Sequence, residues 1–143
     1  MKVKIIIIAV LLLTISFAGC VEDPKTLDDI LLNKGGIRLN QDCGDLFEKE
    51  LIENGVFIVV NFIFEQGVTN GCHLNAYQLW ELEFSLYTGY ALTSDGWWIC
   101  HSWVFMPEKD LFIETTVVYE KYYGICLTDE QVKLFKEEHI LGV

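Results

Sequence analysis

Apolar residues recur at helical spacing in some stretches of this chain and run almost unbroken in others, and that contrast divides it into elements. Leu27 to Leu32 predicts a short helix: Thr26 can cap it, Asp28 and Asp29 suit its first turn, and Lys34-Gly35-Gly36 ends it. From Asp45 to Glu53, Leu46, Phe47, Leu51 and Ile52 fall at helical spacing among charges, and Asn54-Gly55 closes that helix. Val56 to Phe64 is β-branched, aromatic and nearly continuous in hydrophobicity, which predicts one buried strand. Glu65 to Gly71, with two glycines and an asparagine, reads as a loop.

Cys72 to Leu86 places Leu74, Ala76, Tyr77, Leu79, Trp80, Leu82 and Phe84 at helical intervals and predicts the central helix. Three strands follow, Tyr87 to Thr93, Trp97 to Met106 and Leu111 to Tyr119. They are joined by turns at Ser94-Asp95-Gly96 and Pro107-Glu108-Lys109-Asp110. Thr128-Asp129-Glu130-Gln131 is a capping box for a last helix reaching about His139. The order predicts an α+β fold in which an antiparallel sheet, a three-strand meander, packs against a central helix that begins with Cys72.

The N-terminus stands apart. Met1-Lys2-Val3-Lys4 is basic, Ile5 to Ala18 is an uncharged run of fourteen residues, and small residues precede Cys20. Residues 1–19 read as an export signal, since the run is short of the ~20 residues that span a bilayer. The approach to Cys20 resembles the lipobox of bacterial and archaeal lipoproteins, which implies lipidation of Cys20. Phe17 stands where an aliphatic residue is usual. An uncleaved anchor is the other reading, and both leave residues 27–143 as one exported, membrane-tethered domain behind a tether at 20–26.

Without Lys2 and Lys4, eight basic residues face twenty-one acidic ones, about −13 at neutral pH. That charge repels phosphate backbones, so nucleic acid is not an expected partner, and it suits a neutral or cationic substrate. Beyond Cys20 there are four cysteines, Cys43, Cys72, Cys100 and Cys126. They allow two disulfides, or one disulfide with Cys72 and another thiol left free.

Three residues in successive elements carry candidate chemistry. Cys72 opens a helix, where unpaired amides and the dipole favour a thiolate. It could equally be a buried apolar residue or half a disulfide. His101 lies within Trp97-Trp98-Ile99-Cys100-His101-Ser102-Trp103-Val104-Phe105; if it faces the central helix, Trp103 and Phe105 share its face. Glu114 is the only charge between Asp110 and Glu120, and a buried carboxylate needs a partner such as His101. A solvent-facing Glu114 is the plainer alternative. Neither C-x2-4-C nor H-x3-5-H spacing occurs around His73, so no metal or other cofactor is expected.

Across residues 56–120 this order resembles the transglutaminase-like core of the papain-type cysteine-enzyme superfamily. The matching segments are His101-Ser102-Trp103 against a His-Ala-Trp type strand and Glu114-Thr115-Thr116 against an Asp-Pro-Thr type segment. Gly89-Tyr90-Ala91 supplies the small residue before the strand aromatics. Glutamate replaces the usual aspartate, and His73 follows the cysteine. The resemblance implies Cys72 as nucleophile, His101 as base and then acid, Glu114 as orienter and Gln66, six residues before Cys72, as an oxyanion donor. The implied substrate is a peptide or isopeptide bond in a peptide or protein. The alternative is a non-catalytic binding or structural lipoprotein whose cysteines are disulfide-paired.

Overall fold

A computed structural model describes residues 26–39, 45–59 and 62–142. The proposed signal, the lipidation site Cys20, most of the tether and Cys43 lie outside the described residues. Helix α1 (Leu27–Leu32) begins at Thr26, whose hydroxyl accepts from the Asp29 amide while Asp29 bonds back to the Thr26 amide. Strand β1 is only Ile37–Arg38, a 3-10 turn at Asp45–Phe47 leads into α2 (Glu48–Asn54), and β2 is Val56–Ile58. Then come β3 (Phe62–Phe64), α3 (Cys72–Trp80), β4 (Ser85–Leu92), β5 (Trp97–Met106), β6 (Leu111–Glu114), β7 (Lys121–Cys126) and α4 (Asp129–Lys136), which runs into a π turn.

The fold is α+β, and among the described residues seven strands form one antiparallel-rich sheet, six of them in the order β2-β7-β4-β5-β6-β3, with β1 off that path beside β5. Parallel pairs occur at β1–β5 and β3–β6. The stretch expected to be one buried strand is two strands at opposite edges of this sheet, and Val56, Val59, Ile63 and Phe64 are exposed. Its continuous hydrophobicity serves two different neighbours rather than two covered faces. Four residue steps from Ile58 to Phe62 reach at most ~15 Å, whereas five flat strand spacings would measure ~24 Å. The sheet therefore curls.

Two cores follow from the curl. Inside it, Ile58, Ala91, Trp103 and Tyr122 cluster with Phe62, Tyr87, Ile99, Phe112 and Tyr119. The Phe62 ring from one edge stacks on Tyr122, one strand in from the other edge, at 4.1 Å. Outside it, Leu27, Leu31, Leu51, Ala76, Tyr77, Val132 and Phe135 of the four helices bury Leu86, Trp98, Val104 and Ile125 of the sheet. Among the described residues no helix is long and apolar enough to cross a membrane.

Two elements end earlier than expected and one strand is additional, each for a local reason. Helix α3 stops at Trp80 because the chain turns through Glu83, at φ +71°, with Leu82 exposed. Strand β6 stops at Glu114 because the Glu114 carboxylate takes the amides of Thr115 and Thr116 and turns the chain out of the ladder. Strand β7 was not expected, because Gly124 interrupts its β pattern. That glycine is a packing requirement: a β-carbon there would lie 2.6 Å from the Trp103 ring. Gly124→Val should destabilise the fold by about 1–3 kcal/mol through overpacking against Trp103. A lowered urea midpoint at unchanged m-value checks it.

Candidate active site

Strand alternation puts His101 and Trp103 on the inner face of the curl, where their rings stack at 6.2 Å. The body of α3 packs on the other face, against Ser102 and Val104. His101 thus does not face the helix body. It meets only the helix start, where Cys72 occupies the first position. This is possible because the chain reaches α3 from inside the curl. The Glu65 amide donates to the Glu114 carbonyl at 2.9 Å, and the Gly67 amide donates to the Thr115 carbonyl at 2.8 Å. The loop then turns outward, where the buried Asn75 side chain accepts from the Val68 amide at 3.0 Å and donates to the Val68 carbonyl at 2.9 Å. This two-point clamp sets the height at which Cys72 begins its helix.

Cys72, His101 and Glu114 come together. Imidazole Nε2 lies 2.7 Å from Glu114 Oε2, which leaves Nδ1 as the nitrogen for the Cys72 thiol, its other hydrogen-bond partner. The extra methylene of glutamate is accommodated by its neighbours. Glu114 Oε1 accepts from the amides of Thr115 and Thr116 and from the Thr116 hydroxyl. Oε2 also accepts from the Tyr122 hydroxyl at 3.0 Å. The carboxylate is fully buried, His101 is 2% exposed, and Cys72 is part-exposed.

For His101 and Glu114 burial acts first, opposing the charge. For His101 the Cys72 and Glu114 interactions outweigh that penalty and raise the imidazole from 6.5 to about 9. For Glu114, burial is outweighed by His101, Thr116 and Tyr122, which hold the carboxyl below its ordinary value. Burial and the Glu114 charge both push the Tyr122 hydroxyl up, so it stays a donor. The imidazolium thus stabilises the fold fully below pH 6.5, and this contribution is lost as pH rises to about 9.

The cleft above the triad encloses about 470 Å³, and Gln66 lines it together with Cys72 and His101. The Gln66 side chain is exposed. The Cys72 amide, in the first turn of α3, has no acceptor within the helix. Tyr119, whose ring meets His101 edge-on at 4.9 Å, forms the opposite wall. Cys100 is disulfide-bonded and its partner lies outside the described residues, whereas Cys72 and Cys126 are free. The second free thiol, Cys126, is exposed and does not line the cleft.

His73 has a different place. Its Nδ1 lies 2.8 Å from the Ser102 hydroxyl, which donates to Thr88, so the imidazole supplies the proton between His73 and Ser102. Nε2 faces the Cys100 sulfur, and the ring stacks on His139 at 4.4 Å. Burial, then the His139 and His101 charges, depress it to about 3, which keeps it neutral. Among the described residues no three His, Cys, Asp or Glu side chains are set to hold a metal ion.

Sequence reasoning missed Tyr122 and Asn75. Tyr122 belongs to the unexpected strand, and Asn75 sits inside a helix, so neither carried a signal. In Glu114→Gln, His101 should fall from about 9 toward 6.5, because the carboxylate that sustains its charge is gone. Imidazole NMR titration reads that shift directly. Compared with protein-family models, with curated proteins and with solved structures, the chain matches none.

Proposed function

We propose that this chain is a thiol enzyme with a transglutaminase-like or papain-like fold, exported and tethered through its N-terminal segment, acting on peptide or isopeptide bonds. The observation that carries the reading is the unbroken contact line from Cys72 through His101 to the buried Glu114 at the floor of an open cleft. The free state of Cys72 favours it over a non-catalytic lipoprotein with paired cysteines.

The chemistry starts from the thiolate–imidazolium pair. Cys72 Sγ attacks the carbonyl carbon, and the developing oxyanion is met by the Cys72 amide and the Gln66 side chain. His101 Nδ1 gives its proton to the departing amine as the C–N bond breaks, leaving an acyl-thioester. His101 then takes a proton from water, the hydroxide oxygen bonds the acyl carbon, and the C–S bond releases the acid and regenerates the thiolate. Glu114 keeps Nε2 occupied, which fixes the ring so that Nδ1 faces the sulfur throughout.

Three outcomes test this. Cys72→Ala should abolish amide hydrolysis with little change in folding, whereas Cys126→Ala should leave the rate unchanged; wild-type turnover in Cys72→Ala would overturn the proposal. Iodoacetamide at pH 6 should label Cys72 well before Cys126, as peptide mapping would read. The rate should fall on the alkaline side near pH 9, where His101 loses the proton that the leaving amine needs.

A further inference from the structure

A second cavity of about 260 Å³ shares a wall with the cleft: Gln66, Gly67 and Thr115 line both. The wall is the stretch pinned by the Glu65–Glu114 and Gly67–Thr115 backbone bonds and braced by the Asn75 clamp. It is rigid. Gly67 presses against Asn75 so closely that a β-carbon would collide with the carboxamide. The second cavity is below the ~300–1,000 Å³ of pockets that enclose whole drug-sized ligands, and suits one side chain.

The two cavities differ in chemistry. Among the described residues, no Asp, Glu, Lys or Arg lines the cleft above the triad. The second cavity has an apolar side in Leu79 and the exposed Leu82, carboxamides in Asn75 and Gln78, and one charge, Glu65. Among the described residues Glu65 has no basic side chain within ion-pair distance. Its amide donates to the Glu114 carbonyl, which fixes its backbone beside the triad, while its side chain is exposed and lines the second cavity. On the ridge between the cavities, the Thr115 hydroxyl is buried without a hydrogen-bond partner. A polar group so placed costs about 1–3 kcal/mol.

Resting on the thiol-enzyme reading above, we propose that the second cavity is a specificity subsite for a cationic side chain. The substrate presents an uncharged residue at the bond attacked by Cys72 and a lysine or arginine one or two residues away. The aliphatic stem lies on Leu79 and Leu82, and the charged head reaches Glu65. The two cavities share a wall, so the separation is short: one extended residue advances ~3.4 Å and two advance ~6.8 Å.

The test uses two readouts on the full chain. Hydrolysis is measured on peptides carrying Lys, norleucine or Glu at each of the two positions on either side of the scissile bond. In parallel, the rate of Cys72 alkylation is measured with peptidyl iodoacetamides bearing the same residues, with plain iodoacetamide as reference. Lys should exceed Glu by roughly fivefold at one position, the size of one rim ion pair gained and one repulsion avoided. Glu65→Gln should level the preference and Glu65→Lys should invert it, while plain iodoacetamide reacts equally with all three proteins. Equal alkylation by the Lys and Glu reagents at every position would overturn the subsite. Lys-selective alkylation without hydrolysis of any peptide would instead overturn amide cleavage and leave the subsite standing.

Discussion

A buried carboxylate and a buried imidazole 2.7 Å apart form the interaction on which the rest of this structure depends. Neither could be charged there alone, and removing one partner from such a pair typically costs about 3–5 kcal/mol. Here every carboxylate oxygen is satisfied. The Thr115 and Thr116 amides, the Thr116 hydroxyl and Tyr122 hold Glu114, and Glu114 holds His101. The acid is therefore a fixed negative pole, and the imidazole can rest as a cation beside a thiol. One residue does two jobs. By consuming the two amides after it, Glu114 also ends β6 and opens the chain into the wall of the cleft.

Curling of the sheet supplies the surroundings that pair needs. The short link between β2 and β3 brings the two edges together, and Phe62, Trp103 and Tyr122 fill the interior. Tyr122 is part of that interior and also part of the carboxylate's shell, and it accepts from the Tyr119 amide to hold the loop over His101. Packing and the geometry of the Cys72–His101–Glu114 line thus rest on the same set of contacts. Gly124 belongs to both for the same reason, since the Trp103 ring lies where its side chain would be.

The two histidines at the site show how neighbouring residues acquire opposite properties. His101 is paired with Glu114 and Cys72 and rises to about 9, while His73, half-buried with His139 and His101 as its charged neighbours, falls to about 3. Burial lowers both. The difference lies chiefly in what each ring touches: His101 is held against a carboxylate, and His73 is a packed link between α3, β5 and the π turn after α4.

Local signals were legible without coordinates. Thr26 and Thr128 start helices because their hydroxyls sit three residues before a reciprocating side chain. Cys72 opens a helix because glycine and a polar loop precede it, and Trp97–Met106 is a strand because its β-rich run lies between turns. The α+β class and the three triad residues follow from such short-range patterns. Partners far along the chain decided the rest. Val56 to Phe64 is divided because its halves pair with β7 and β6, Cys100 is in a disulfide and Cys72 is not, and Tyr122 reaches Glu114 only once β7 lies beside β4. Periodicity reports which residues seek burial. Which neighbour buries them, and on which face of a curled sheet a side chain lands, is settled only when distant segments meet.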